Sequence, residues 1–327
     1  MTSNRVFLTG GTGFVGSHLA EALLDRKVLV KAMVRSDLKW LKGSSVEPVT
    51  GDLFSEQALA EALKDVGAVY HVAGLTRART QAELDEANVE GTRRLLEAVR
   101  QHAPGARVLI TSSQAAAGPS PADGGPLQEG EPMRPLSMYG RSKAEMEKMV
   151  AEEFCDLDWT IVRPTSVYGP READIYTIIR AASRGIFPIV GDGRRPALSL
   201  VHVQDLVQGM ISAIEQPASR RETYFLGSDE GYTWNEIREA ILDALGRRAL
   251  KINVPVRLVG AVGALVESGG RILGRYPALN REKAREAAAI WIASNAKAFS
   301  HLDYRPSMPL DRGMVETVSW YRKNGWL

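Results

Sequence analysis

The 327-residue chain predicts an α/β fold, a doubly wound parallel sheet followed by a smaller C-terminal α/β lobe. Two observations carry this. Strand-length apolar runs alternate with helix-period segments through the first half, and a glycine-rich turn stands where the first strand gives way to the first helix. Parallel neighbours need crossovers, and right-handed crossovers place helices on both faces of the sheet.

The expected strands are 5–9, 28–34, 46–50, 68–72, 107–111 and 159–162, with helices between them at 14–24, 56–63, 83–102 and 139–154. After Pro164 the alternation loosens. Helical patterns at 173–183, 203–214, 234–245 and 281–290 then enclose strand-like 198–203 and 223–226. Thr233-Trp234-Asn235-Glu236 has capping-box spacing and marks a helix start. Pro119 to Pro135 reads as a surface loop, and the apolar stretch from Val254 to Val266 as a buried or lobe-interface helix. Residues 1–165, joined by part of 198–226, should form the first domain, and 166–327 the second lobe.

Composition excludes several classes. Forty-one basic against thirty-nine acidic residues, scattered rather than striped, give no case for a nucleic-acid partner. The one cysteine, Cys155, cannot form an internal disulfide and fits a reducing cytoplasm. No apolar stretch is long enough for stable membrane insertion, and no metal site is expected.

Gly10-Gly11-Thr12-Gly13-Phe14-Val15-Gly16 follows the first strand and opens a helix, the context a dinucleotide motif requires. Gly10 permits the tight turn, Gly13 lets backbone approach a diphosphate, and Gly16 lets the helix pack closely. At the end of the second strand Arg35 replaces the acidic residue that would bind a ribose hydroxyl, so NADP is favoured, with NAD the alternative that Asp37 keeps open. Asp52, followed by Leu53, is placed to accept from the adenine amino group. Ala73 and Gly74, just past the fourth strand, are small enough for close backbone approach, and His71 reads as a core histidine.

Tyr139 and Lys143 lie four residues apart, hence on one helical face. A free phenol titrates near pH 10, too high for a base at neutrality, and a nearby cation favours the phenolate. The strand-end hydroxyls of Ser112 and Ser113 are placed to bond a substrate carbonyl or alcohol.

With these residues in place the chain resembles the extended short-chain dehydrogenases/reductases over nearly its whole length. The matches run through 9–16, Gly51-Asp52-Leu53, His71-Val72-Ala73-Gly74, Asn88-Val89-Glu90-Gly91-Thr92, Ser112-Ser113, Tyr139-x-x-x-Lys143, Arg163-Pro164-x-x-Val167-Tyr168-Gly169-Pro170 and His202-Val203-Gln204-Asp205-Leu206. The resemblance implies a Rossmann-type first domain and a catalytic trio of Ser113, Tyr139 and Lys143. It implies that Asn88 holds the central helix and strand, and that Pro164 through Val167 present backbone to the nicotinamide carboxamide. Nucleotide-sugar members commonly carry arginine where Leu198 stands here, which points instead to alcohol–ketone chemistry on a small, mostly apolar molecule. Thr76, Ser113, Arg194 and Leu198 are the candidate substrate contacts. Arg194 and Arg195 keep a nucleotide-sugar epimerase open as the alternative, and a non-catalytic dinucleotide sensor is a third reading. A homodimer through the 83–102 and 139–154 helices is expected, motivated by Met146, Met149 and Val150.

Overall fold

The computed structural model describes residues 4–121, 125–194, 197–228, 231–255, 285–287 and 289–327. Its strands are β1 (Arg5–Thr9), β2 (Leu29–Val34), β3 (Glu47–Thr50), β4 (Ala68–His71), β5 (Arg107–Thr111), β6 (Asp158–Pro164), β7 (Ser166–Tyr168), β8 (Ile186–Val190), β9 (Ala197–His202), β10 (Glu222–Leu226), β11 (Gly231–Thr233) and β12 (Leu250–Val254). Seven of them form one parallel sheet in the order β3-β2-β1-β4-β5-β6-β10. The chain moves outward from β1 to β3 and then restarts on the other side at β4. The crevice beyond the carboxyl ends of β1 and β4 is therefore the topological switch point where such sheets bind ligands.

Helices α1 (Phe14–Asp25), α2 (Glu56–Ala62), α3 (Gln81–Asp85), α4 (Gly91–His102), α5 (Gln114–Ala117) and α6 (Met138–Glu153) accompany the first six strands. Side chains of β1 alternate between two cores, as a period of two demands. Val6 and Leu8 join Leu19, Leu23, Leu206 and Met210 on one face, whereas Phe7 joins Leu59, Leu95, Val99 and Met146 on the other. The second lobe adds α7 (Asp174–Ser183), α8 (Val203–Glu215), α9 (Trp234–Leu245), α10 (Ala296–Leu302) and α11 (Leu310–Lys323). Helix α8, strand β10 and helix α10 return to the core of the large sheet, while α7, α9 and α11 enclose a separate core around Tyr168, Phe187, Ile241 and Met314. The capping box at Thr233 is present, with Glu236 N–H donating to the Thr233 hydroxyl and the Glu236 carboxylate accepting from Thr233 N–H.

Several expectations need correction. The sheet has seven strands, not six, because 222–226 supplies a parallel edge. The expected helix 83–102 is interrupted by a π-helical turn at Glu86–Glu90. Of the expected helix 281–290, residues 285–287 are helical and 289–290 are not, while 281–284 and 288 lie outside the described residues; 290–294 thread beside β9, bonded to Ser120, Leu127 and Ser199. Val254 closes a strand, and 256–266 lie outside the described residues. Met146, Met149 and Val150 are buried in the large core, so they offer nothing to a second subunit. They sit on the one helical stripe that faces the sheet, and the opposite stripe carries Arg141, Glu145, Lys148 and Glu152, all exposed. Among the described residues no helix is long and apolar enough to cross a membrane.

Candidate active site

The glycine turn is shaped by three different needs. Gly10 has φ +74°, and a Cβ there would lie 2.6 Å from the Ala73 nitrogen, so the turn is pressed against the end of β4. A Cβ on Gly16 would lie 2.2 Å from the Gly10 carbonyl oxygen, which folds the first turn of α1 back on the loop. Gly13 meets only that same carbonyl, at 3.3 Å, and is otherwise open. As N-cap of α1 it supplies no side-chain acceptor, and no acidic residue occupies the first turn. The N–H groups opening α1 at Phe14, Val15 and Gly16 therefore stand at a positive helix end that neither its N-cap nor its first turn neutralises. This cradle fits a dinucleotide diphosphate.

On the adenosine side Arg35 is exposed and has no partner among the described residues. Asp37, by contrast, is engaged: it accepts from Lys39 N–H at 3.1 Å and pairs with the Lys42 ammonium at 3.1 Å. These contacts hold its carboxyl below the usual range. Asp52 uses one oxygen to accept from Phe54 N–H at 3.0 Å, closing a turn before α2, while Ser55 takes the N-cap position. Leu53 packs against Gly91 at the start of α4. Arg171, which sequence reasoning passed over, clasps this edge. It donates to the Ser17 hydroxyl, pairs with Glu21 at 2.6 Å and lies 5.2 Å from the Trp40 ring centre.

Behind the turn runs a closed relay. Ala73 N–H donates to the Thr9 hydroxyl, which bonds His71 Nδ1 at 2.7 Å; His71 Nε2 bonds the Thr92 hydroxyl at 2.9 Å, and Thr92 donates to the Asn88 carbonyl. Since Thr92 spends its proton on Asn88, His71 must carry its own on Nε2 and accept at Nδ1. Burial pushes the imidazole down to about 3, so it is neutral, a core histidine as expected. Asn88 sits within the π-helical turn, accepts from Leu75 N–H and donates to the Leu75 carbonyl and the Ser142 hydroxyl. It thereby ties the loop after β4 to α6.

Helix α6 begins at an N-cap, Ser137, whose hydroxyl accepts from Gly140 N–H, and this sets the face that carries Tyr139 and Lys143. Ser113 caps α5 through Ala115 N–H and stands beside the Tyr139 phenol. Burial pushes that phenol up to about 12, opposed by the Ser113 hydroxyl and reinforced by the Glu286 carboxylate. The phenol is raised rather than lowered because desolvation dominates and the Lys143 ammonium turns to the Thr111 carbonyl at 2.8 Å. Lys143 is itself buried, which brings it down to about 8 against the pull of Glu147. A Cβ on Gly74 would lie 3.3 Å from the Lys143 nitrogen, so a side chain there would crowd that ammonium.

Glu147, four residues beyond Lys143, was missed by sequence reasoning, although its spacing was the available signal. It receives the Ser112 hydroxyl and the Arg163 guanidinium, the latter at 2.6 Å, with both charged side chains 5% exposed. Thr111 Oγ1, Gln114 Nε2 and Thr165 Oγ1, at the carboxyl ends of β5 and β6, are buried without partners among the described residues. Orphaned polar atoms gathered at one edge suit a polar ligand that completes them. Pro164 is buried beside Thr165, and Val167 is half-buried in β7. Leu198 is half-buried opposite Trp291, whereas Thr76 and Arg194 are exposed, Arg194 in a turn closed by Asp192.

The sequence pattern of the NAD dependent epimerase/dehydratase family matches residues 6–227. Ceramide reductase of Caulobacter vibrioides is 31% identical across 98% of this chain and 96% of its own. The 4-hydroxy-2-methyl-3-oxo-4-farnesyl-3,4-dihydroquinoline-1-oxide ketoreductase of Stigmatella aurantiaca is 31% identical across 86% and 90%. The crystal structure of gox2253 superposes with a TM-score of 0.82 at 28% identity, covering 98% of this chain and 99% of that one. The chain belongs to the NAD dependent epimerase/dehydratase family and is an NAD(P)-dependent enzyme of the extended short-chain dehydrogenase/reductase type.

Proposed function

We propose that the enzyme interconverts a secondary alcohol and a ketone on a mostly apolar substrate, with NADP preferred over NAD. The observation that carries this reading is the convergence of Ser113, Tyr139 and Lys143 at the mouth of the sheet beside the glycine cradle. Residues 1–165, with part of 198–226, act as the coenzyme domain and 166–327 as the substrate lobe. Gly10, Gly13, Phe14, Val15 and Gly16 hold the diphosphate; Arg35, Asp52 and Leu53 the adenosine; Ala73, Gly74, Asn88, Ser112, Lys143, Pro164 and Val167 the nicotinamide half. The bound coenzyme supplies or accepts the hydride. Ser113 holds the substrate oxygen, and Tyr139 moves the proton to or from it. A phenol kept protonated at neutral pH is the form that donates, which favours ketone reduction. Positioning and charge lower the barrier, without a covalent intermediate.

The apolar substrate rests on Leu198, which offers a diphosphate nothing to bond, and on two relatives whose names denote a ceramide and a farnesylated quinoline. Exposed Arg194 supports the nucleotide-sugar epimerase as second reading. Oxidation of NADPH followed by its fluorescence, with ketone lipids in one series and nucleotide sugars in the other, separates them. Turnover confined to nucleotide sugars, with NAD retained through purification, overturns the first reading. We place the enzyme in the cytoplasm as a homodimer joined through the exposed charged faces of α4 and α6; a monomeric mass in sedimentation refutes the dimer.

A further inference from the structure

Strands β8 and β12 form a two-stranded parallel ribbon at the surface of the second lobe, with Leu250 beside Ile186 and Ile252 beside Pro188. Alternation along a strand sends neighbouring side chains to opposite faces. Phe187 and Ile189 accordingly enter the lobe core, at 0% and 2% exposure. Ile186, Leu250 and Ile252 point the other way and are 47%, 69% and 40% exposed, with Pro188 exposed beside them. Four apolar side chains thus form an exposed square among the described residues.

The two segments that form this ribbon carry charges of one sign. Across 180–190 and 246–254 the charged residues are Arg180, Arg184, Arg247, Arg248 and Lys251, with no acid. The four arginines are exposed. Arg247 is anchored by donating to the Ser183 carbonyl at 2.9 Å, so the collar is fixed to the turn that precedes the ribbon. Lys251 is spent on Asn235 and the Asp192 carbonyl. The nearest acids along the chain are Asp192, bonded to Arg194 N–H, and Asp243.

We infer that this ribbon docks the enzyme on the surface of an anionic lipid bilayer, its aliphatic side chains entering the headgroup boundary and its arginines meeting the lipid phosphates. An apolar centre with a basic rim is the pattern of peripheral membrane contact. A second copy fits poorly, since a two-fold contact sets the arginine collars against each other, and four side chains fall short of the area of a stable dimer. The inference rests on the ribbon alone and not on the alcohol–ketone reading, because its test involves no turnover.

The test is co-sedimentation of the full chain with vesicles of equal parts phosphatidylcholine and phosphatidylglycerol, against vesicles of phosphatidylcholine alone. The wild type binds the first at least tenfold more tightly. Leu250→Ser with Ile252→Ser weakens that binding by about a hundredfold, and Arg247→Gln with Arg248→Gln by about thirtyfold. Thermal midpoint and coenzyme binding stay at wild-type values in both. Wild-type protein left in the supernatant, or variants that sediment as the wild type does, overturns the inference. So does a wild-type dimer that the Leu250 and Ile252 changes convert to monomer, which assigns the ribbon to a second copy.

Discussion

The Ser113 hydroxyl stands beside the Tyr139 phenol and favours its ionised form, where the end of β5 meets the first turn of α6. Because Ser113 accepts from Ala115 N–H, its own proton is left to serve a developing phenolate or substrate oxyanion. Tyr139→Phe should therefore cut kcat by roughly two to four orders of magnitude while coenzyme affinity stays within about threefold. Ser113→Ala should cost somewhat less. Unchanged turnover in Tyr139→Phe, with coenzyme still bound, removes Tyr139 from the proton transfer.

The pH profile should differ with direction. Tyr139 stands near 12 and Lys143 near 8, both displaced chiefly by burial. Reduction uses the protonated phenol and the lysine cation, so its kcat/KM should be level through neutrality and fall as pH rises past about 8. Oxidation begins from the phenolate and should climb through the alkaline range. Rates measured in both directions between about pH 6 and about pH 10 check this; a reduction rate that rises across that range contradicts it.

Much of this site was legible because glycine, Tyr-x-x-x-Lys and strand-end hydroxyls report local backbone demands. Gly10 needs positive φ, and Tyr139 and Lys143 share a face by helical spacing alone. What sequence left hidden depends on distant partners. Nothing local announces that Arg163 will reach Glu147 or that Glu286 will come near Tyr139. The apolar stripe of α6 was visible, but not whether the sheet or a second subunit would cover it; the sheet does. The π-helical turn at Asn88 was likewise unreadable, since the helical period continues on both sides of it.

Glu147 and Arg163 form a buried pair on which Lys143 also depends. Glu147→Gln leaves two buried cations without their carboxylate and should reduce stability by about 3–5 kcal/mol in urea unfolding. Glu147→Gln combined with Arg163→Met should recover a large part of that loss. If enough of the single variant folds for assay, its alkaline limb for reduction should move to lower pH, since Glu147 holds the lysine proton. A limb that does not move separates this pair from the chemistry.

Buried neutral histidines should make the fold sensitive to mild acid. His71 and His202, each 1% exposed, are brought down by burial to about 3 and about 4 from 6.5. With folded values below the unfolded one, the unfolded chain binds the extra protons as pH falls. The stability each contributes is complete above 6.5 and is lost as pH falls towards its folded value. Between pH 7 and pH 5 the loss should be about 2 kcal/mol per histidine. Urea midpoints at the two pH values test the sum, and His71→Leu should flatten the slope even as it lowers stability by leaving the buried Thr9 hydroxyl proton without its acceptor.

Coenzyme choice should turn on Arg35. Asp37, the only nearby acid after β2, is already committed to Lys39 N–H and Lys42, whereas Arg35 is exposed with no partner among the described residues. A free guanidinium at the adenosine edge can grip a 2′-phosphate bidentately, and an occupied carboxylate competes poorly for a ribose hydroxyl. Arg35→Asp should weaken NADPH binding by about thirtyfold or more and leave NADH within about threefold. Lys42→Ala should release Asp37 and move preference towards NADH. Equal losses for both coenzymes in Arg35→Asp would remove Arg35 from the phosphate and return the choice to NAD.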